Sequence, residues 1–502
     1  MALRVYNTLS GRVEDFQPLA GNTVRIYTCG PTVYDYGHIG NYRTFVFQDT
    51  LRRYLKYRGY AVEQVMNLTD VDDKTIRNAR AAGLPLREYT GKFIQAFQAD
   101  RELLNFDPIE HFVRATDHIS EMVSLIQTLE GKGYAYRSEG SVYFRVASFK
   151  DYGKLSKINL AGNRAGASDR VDADEYEKGD VRDFVLWKAA KEGEDFWETP
   201  LGPGRPGWHV ECSAMAMKYL GPSFDIHSGG SDLIFPHHEN EIAQSEAATG
   251  QPFARFWMHA EHLIVDGQKM SKSLGNFYTL RDLVKRGYKP SAVRYLLSSV
   301  SHRKPLNFTF DGLVQAENSL ERLRNFRRRL STEQFRSGHS PALAGRATRA
   351  RAEFEAGLDD NLNTAEAFGS VFDLVRDGNT AMDQGGFYDG DRAAWLDVLE
   401  RWEHVFPVLE ADDHAKIQKF GLLHEGATAS GGGGIPAQSG GPGDGAAATL
   451  ILSEDGIESQ IAAREAARRG RDFAAADRIR QQLFEAGVII EDTKAGTRWK
   501  RK

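Results

Sequence analysis

The chain has 502 residues, 41% hydrophobic and 26% charged, with a formal net charge of -5; that length predicts three or four domains of roughly 100–200 residues each. The acidic balance argues against wholesale affinity for nucleic acid, so RNA has to be met by local basic patches. With no apolar stretch in Met1–Phe16 and no run of about eighteen apolar residues anywhere, the expectation is a cytoplasmic protein that neither spans a membrane nor is secreted.

Val24, Ile26 and Thr28 alternate with Arg25 and Tyr27, which predicts a strand that delivers Cys29 and Gly30 to its carboxyl end. Beyond Pro31, His38-Ile39-Gly40-Asn41 precedes a helical pattern (Phe45, Leu51, Tyr54, Leu55) that stops at Gly59. Strand, glycine turn and helix N-terminus form the anion-binding arrangement of nucleotide folds. An ordinary βα turn with a buried histidine is the other reading. Ala61–Met66 predicts a second strand, which leads into the acidic run Asn67-Leu68-Thr69-Asp70-Val71-Asp72-Asp73-Lys74. That run has the look of a magnesium site, but aspartates in such clusters commonly cap helices or face solvent. Thr116 is expected to open a helix with Ile119, Met122, Val123, Ile126 and Leu129 on one side. A hairpin follows, Tyr134–Arg137 with Ser141–Val146, then a loop-rich stretch through Asp180 before Phe184–Trp187 resumes strand character.

Gly207–Cys212 re-enters the nucleotide fold, and Phe224–His227 predicts a strand whose carboxyl end carries Ser228-Gly229-Gly230-Ser231-Asp232. Phe235-Pro236-His237-His238-Glu239-Asn240-Glu241 reads as the first turns of a helix that ends at Gly250. The only cysteines, Cys29 and Cys212, lie far apart in a chain with no secretory signal, which points to a metal rather than a disulfide. His237 and Glu241 stand at i and i+4, within reach of one zinc ion, and His238 with Glu241 is the i, i+3 alternative. A buried free thiol at Cys212 beside a surface His/Glu helix is the competing account. Leu263–Gly267 is a short strand and turn, followed by Lys269-Met270-Ser271-Lys272-Ser273 and Leu274-Gly275-Asn276.

Helices at Leu280–Arg286 and Pro290–Val300 bridge to a bundle that begins at Gly312, where Leu313, Ala316, Leu320, Leu323, Phe326 and Leu330 repeat at helical spacing. Between them stand Arg322, Arg324, Arg327, Arg328 and Arg329, either a solvated face or a contact for an RNA backbone. Further helices run from Pro341 to Leu409. The glycine-rich residues 424–452 read as a flexible tether. Beyond Ser453 come an arginine-rich helix, a second helix from Phe473 to Glu485 and the tail Thr497–Lys502.

The segments TCGPTVYD with HIGN, GWHVECSAM, FDIHSGGSDLIFPHHENEIAQ and KMSKSLGN resemble class I aminoacyl-tRNA synthetases, and among them the cysteinyl-tRNA synthetase family, over nearly the whole chain. The resemblance implies an α/β fold: a Rossmann-type parallel-sheet catalytic domain (1–115 and 200–278) interrupted by an insertion for the acceptor end of tRNA (116–199). Bridging helices (279–311), a helical bundle (312–423), the tether (424–452) and a small anticodon-binding domain (453–502) follow.

The activity implied is ATP-dependent formation of cysteinyl adenylate, then transfer of cysteine to the 2′-hydroxyl of the terminal adenosine of tRNA(Cys). Magnesium would accompany ATP, and the enzyme is expected to act as a monomer. The family's zinc ligands fall on Cys29, Cys212, His237 and Glu241. His38, Gly40, Asn41 and Lys272 would bind ATP, with His38, Asn41, Lys269 and Lys272 serving catalysis. Asn41 departs from the usual final histidine of HIGH; it keeps hydrogen bonding but cannot carry charge. Gly30, Thr69, Trp208, His227 and Asp232 would form the L-cysteine site, although Trp208 also suits a place in the core. Arg468, Asp477, Asp492 and Trp499 are the candidates for reading the anticodon.

A bound thiolate ligand separates cysteine from serine, alanine and valine, so no editing site is expected. Two rivals remain: a relative that joins cysteine to a small amine, and a non-catalytic tRNA-binding protein. The segment after Ser453 counts against the first, and the joint presence of HIGN and KMSKS against the second.

Overall fold

In the computed structural model the described residues are 2–158, 182–410, 412–422, helical positions 460, 461, 463, 464, 479 and 483, and strands 488–493 and 496–501. A hairpin of β1 (Arg4–Asn7) and β2 (Arg12–Asp15) precedes β3 (Thr23–Thr28). Val24 and Ile26 of β3 pack with Phe45, Val46 and Leu51 of helix α1 (Ile39–Tyr57), while Tyr27 joins the core on the other side of the sheet. This two-sided burial is what a central parallel strand requires. After β4 (Ala61–Leu68) come α2 (Asp73–Ala81), α3 (Leu86–Leu103) and β5 (His111–Arg114).

Thr116 does not open the next helix. Its N–H and Oγ1 donate to the Asp70 carboxylate at 2.9 and 2.7 Å, and α4 (Ile119–Gly131) starts three residues later. The aspartates of the acidic run have partners within the protein. Asp70 holds Thr116, Asp72 caps α2 through the N–H of Thr75 at 2.6 Å, and Asp73 pairs with Lys188 and Arg205.

Strands β6 (Ala135–Ser138), β7 (Ser141–Phe144), β8 (Phe184–Ala189) and β9 (Gly204–Pro206) form a separate antiparallel sheet in chain order. Most of the loop-rich stretch expected before Phe184 lies outside the described residues. The chain then returns through α5 (Trp208–Leu220), β10 (Phe224–Gly230), α6 (Glu239–Thr249) and β11 (Ala254–Ala260). The main sheet is parallel throughout, in the order β11-β10-β3-β4-β5. From β3 the chain builds first toward β5 and later, through β10, toward β11. The point where this direction reverses is where open parallel sheets bind ligands, at the strands' carboxyl ends.

Residues 235–238 are not yet regular α-helix. Phe235 has extended angles (φ -138°, ψ 135°), and α6 begins at Glu239. Beyond the sheet, β12 (Leu263–Val265) and β13 (Gln268–Lys269) are followed by α7 (Leu280–Lys285), α8 (Pro290–Ser298) and β14 (Leu306–Phe308), which pairs parallel to β12. Helix α9 (Phe310–Thr332) starts two residues before Gly312 because the Thr309 hydroxyl accepts from the Gly312 N–H at 2.9 Å. With α10 (Pro341–Asp359), α11 (Thr364–Asp383), α12 (Arg392–Val405) and α13 (Asp413–Lys419) it makes the helical part of the unit that spans 1–422.

The arginine run on α9 is largely occupied within the protein. Arg324 donates to the carbonyls of Val408 and Leu409, Arg327 pairs with Glu410, and Arg329 with Glu333 and Asp383. Arg322 and Arg328 are the exposed members of the run. In the unit 423–502 an antiparallel hairpin, β15 (Val488–Thr493) and β16 (Gly496–Arg501), replaces the expected tail. The glycine-rich tether and most of the two terminal helices lie outside the described residues.

Candidate active site and metal centre

Four side chains from three parts of the fold converge where β3 and β10 end. Cys29 directly follows β3, Cys212 lies in the second turn of α5, and His237 and Glu241 flank the start of α6. Their ligand atoms all lie within 4.8 Å of one another, and all four residues are buried. Glu241 is fully enclosed, and its ionic partners are histidines: Oε1 lies 3.0 Å from His237 Nε2 and Oε2 2.9 Å from His227 Nε2. Burial pushes this carboxyl up, but the charges of His227 and His237 prevail and bring it to about 2.

Burial raises the Cys29 thiol, whereas Cys212 is lowered because the Cys29 hydrogen bond and the His237 charge outweigh desolvation. Two sulfurs, an imidazole and a carboxylate of this kind suit a four-coordinate zinc.

A second set overlaps the first: Cys29, His227, His238 and Glu241 also have ligand atoms within 4.8 Å. His238 Nε2 is 3.2 Å from Cys29 Sγ, and its Nδ1 is 2.8 Å from His259 Nε2. His259 Nδ1 in turn meets Thr8 Oγ1 at 2.8 Å. A chain of hydrogen bonds thus runs from the N-terminal hairpin to the cysteine. With one sulfur this set is the harder donor group, and the histidines serve better as an outer layer that orients the ligands.

The HIGN and KMSKS segments meet at the start of α1. His38 caps α1: its Nδ1 accepts from the Asn41 N–H at 3.2 Å, and the Asn41 side chain accepts from the His38 N–H at 3.1 Å. Burial lowers the His38 imidazole to about 4, with Asp232 raising it and Lys272 lowering it further. The ring is neutral at neutral pH.

Ile39 N–H donates to the Tyr278 carbonyl at 2.9 Å, and the Phe277 ring packs edge-on against His38 with centroids 5.0 Å apart. A Cβ on Gly40 would meet His38 Nδ1 at 2.9 Å and Met270 Cε at 3.1 Å, so glycine allows the close approach of the two segments. Lys269 ends β13 with its carbonyl accepting from Asn276 Nδ2 at 3.2 Å. Lys272 Nζ donates to Asp35 Oδ2 at 2.6 Å and stands over the Phe277 ring.

The residues expected around the amino acid are linked by a buried chain. Gly30 N–H donates to Asn67 Oδ1 at 2.9 Å, Asn67 Nδ2 to Thr69 Oγ1 at 3.1 Å, and Thr69 Oγ1 to Glu211 Oε2 at 3.2 Å. The chain ties Gly30, next to Cys29, to Glu211, next to Cys212. A Cβ on Gly30 would stand 1.9 Å from the Asn67 carbonyl oxygen, which excludes any other residue there. Trp208 is not core; it is 39% exposed and stacks on His237 at 4.1 Å between centroids. Asp232 lies in the turn after β10, near enough to act on His38.

Asn67, Glu211, His209, whose Nδ1 lies 3.0 Å from His237 Nδ1, and His259 are residues of this cluster that the sequence did not single out. Asn67 opens the same acidic run as Thr69, and Glu211 stands beside Cys212; for His209 and His259 no spacing signals the contact. Among the anticodon candidates, Arg468 and Asp477 lie outside the described residues. Asp492 and Trp499 fall in the terminal hairpin, where Asp492 is opposite Thr497 and Trp499 opposite Ile490.

Comparison with known proteins places these features in a family. Residues 15–318 match the class I tRNA synthetase (C) catalytic domain, residues 353–409 the DALR domain, and residues 454–499 the cysteinyl-tRNA ligase anticodon binding domain. A protein of Solibacter usitatus named Cysteine--tRNA ligase is 55% identical over 502 residues, covering 100% of both chains. Its namesake from Koribacter versatilis is 54% identical, again over 100% of each.

Solved structures support the fold. Methionyl-tRNA synthetase of Mycobacterium tuberculosis superposes with a TM-score of 0.58 at 16% identity, covering 84% of this chain and 99% of that one. A putative arginyl-tRNA synthetase from Campylobacter jejuni gives 0.52 at 13% identity, covering 78% and 94%. Full-length identity to these relatives, joined to a class I catalytic match, means that the chain belongs to the cysteine--tRNA ligase family.

Proposed function

We propose that the chain activates L-cysteine with ATP and passes it to the 3′ end of tRNA(Cys), with one zinc held by Cys29, Cys212, His237 and Glu241. The observation that carries this reading is the buried convergence of those four donors beside the joined HIGN and KMSKS segments. When bound, zinc would take the substrate thiolate as a further ligand and lower the thiol's pKa, a contact that serine's hydroxyl cannot match.

The protein's own groups do the rest. Neutral His38 offers an N–H to the ATP phosphates, and Gly40 clears space for adenine against the backbone. Lys272 neutralises charge on pyrophosphate as the cysteine carboxylate oxygen bonds to the α-phosphorus and the bond to the β-phosphate breaks. Magnesium accompanies the ATP. Gly30, Thr69, Trp208, His227 and Asp232 surround the amino acid, and Asn41 and Lys269 set the positions of the two motif segments.

The matched regions support a division of labour. Residues 1–115 and 200–278 form the catalytic domain, 116–199 the insertion for the acceptor end, 279–311 a bridge and 312–423 the bundle. A tether at 424–452 leads to an anticodon-binding unit at 453–502. The proposed setting is a cytoplasmic monomer; no helix among the described residues is long and apolar enough to cross a membrane. The test is ATP–pyrophosphate exchange with cysteine and with serine, followed by charging of unfractionated tRNA. Exchange that does not depend on cysteine refutes the reading.

A further inference from the structure

Lys272 does not hang free in solvent. Its Nζ donates to Asp35 Oδ2 at 2.6 Å although the two side chains are 64% and 39% exposed, and the same ammonium lies 5.1 Å from the centre of the Phe277 ring. The other carboxylate oxygen of Asp35 accepts from the Tyr36 N–H at 2.8 Å, so the backbone sets the direction of the acceptor. The base of the KMSKS loop is pinned independently: Asn276 accepts from the Ser271 N–H at 2.8 Å and donates to the Lys269 carbonyl. The tip is closed on itself, with Gly275 N–H donating to the Lys272 carbonyl at 3.2 Å. Asp35 therefore grips the tip of a loop whose base is held by other residues.

We propose that Asp35 is a positioning residue: it holds Lys272 in an ion pair that opens when ATP arrives and releases the ammonium to the departing pyrophosphate. This rests on the role given to Lys272 above. The chemistry suits a latch. An exposed ion pair is weak in water, and a triphosphate offers the ammonium more negative charge than one carboxylate does. A parked lysine also lowers apparent ATP affinity by the fraction of protein in that state. Removing the latch should then tighten ATP binding, whereas a carboxylate that assisted catalysis directly would weaken it when lost.

The experiment is cysteine-dependent ATP–pyrophosphate exchange with wild type, D35N, D35E, K272A and the double variant D35N/K272A. The amide introduced by D35N keeps an oxygen for the Tyr36 N–H, and the acceptor is half-exposed, so folding is little affected. D35N is expected to lower the KM for ATP about two- to five-fold, the range open to a surface ion pair. The shift should fade at high salt, be absent in D35E and vanish in the K272A background. Trypsin should also cut after Lys272 faster in D35N than in wild type before ATP is added. An unchanged or raised KM for ATP in D35N, or a shift that survives in D35N/K272A, overturns the latch. Full activity in K272A alone overturns instead the assignment of Lys272 to pyrophosphate, and the latch with it.

Discussion

His38 and Asn41 cap one another: each backbone N–H donates to the other's side chain, at 3.1 Å to Asn41 Oδ1 and 3.2 Å to His38 Nδ1. This gives the asparagine that stands in place of a histidine a clear task, since its amide oxygen satisfies one of the free N–H groups at the helix start. It also fixes the tautomer. With Nδ1 accepting, the imidazole proton sits on Nε2, free to donate. Asn41→Ala removes one of the two caps, and a loss of about 0.5–2 kcal/mol in stability is expected from urea unfolding.

The burial of the His38 ring sets a pH dependence. His38 falls from 6.5 to about 4, chiefly through burial, so the unfolded chain takes up its proton before the folded one does. Its contribution to stability is fully present above pH 6.5 and is lost as pH falls toward about 4. The unfolding free energy of wild type should decline over that window more than that of His38→Asn. Equal slopes in the two proteins would mean that the ring is not buried in solution.

Metal content separates the two overlapping ligand sets. If Cys29, Cys212, His237 and Glu241 hold the ion, purified protein carries about one zinc per chain, and Cys212→Ser loses both the metal and cysteine activation. His238→Asn, which removes only a neighbour of Cys29, should weaken zinc affinity about 10–100-fold, as loss of an orienting residue does. Competition with a coloured chelator measures both. The reverse ranking would assign the ion to Cys29, His227, His238 and Glu241.

A fourth test concerns how helix α1 is held. Asp49 on α1 pairs with Arg294 on α8 and with Arg53 at 2.8 Å, and Arg294 also donates to the Leu104 carbonyl at 2.6 Å. Asp49 and Arg294 are both buried. Desolvation raises the Asp49 carboxyl, but Arg294 and Arg53 overcome it and bring the group from 3.8 to about 2. The stability it supplies is therefore present above pH 3.8 and lost as pH falls toward about 2. Arg294→Met leaves a buried carboxylate short of its main partner, and a loss of about 3–5 kcal/mol is expected. A Tm equal to wild type at neutral pH would refute the importance of this pair.

What was legible in the sequence follows from how local each feature is. The strand at Val24–Thr28, the helix after His38 and the heptad-like spacing from Leu313 to Leu330 are periodic, so burial could be read directly from them. Cys29 and Cys212 stood out because the chain has no other cysteine. The bond from Thr69 to Glu211 spans 142 positions and leaves no pattern. Nor could spacing show that the extended backbone at Phe235 delays α6, bringing both His237 and His238 to the cysteines before the helix starts. The arginines of α9 left two readings open for a physical reason. A charge run looks the same whether it faces phosphate or, as with Arg324, the carbonyls of Val408 and Leu409.

The last prediction tests the division of labour along the chain. Residues 454–499 match an anticodon binding domain, and their described backbone includes the hairpin that carries Asp492 and Trp499. The four candidate metal ligands and the HIGN and KMSKS segments all lie no later than Asn276, inside the unit that ends at Leu422. A chain cut after Leu422 should therefore keep cysteine-dependent pyrophosphate exchange, since the proposed site takes no residue from the terminal unit.

Charging of tRNA should fall by orders of magnitude in the same protein, because stacking on one aromatic ring alone is worth roughly 1–3 kcal/mol per base. The penalty should shrink for a tRNA whose anticodon has already been altered, where those contacts are missing from the start. Trp499→Ala in the full chain gives the finer measurement, with a loss confined to KM for tRNA and none in KM for cysteine or ATP. Charging that survives truncation would reassign the terminal unit to another partner, and exchange that fails on truncation would move the functional boundary beyond Leu422.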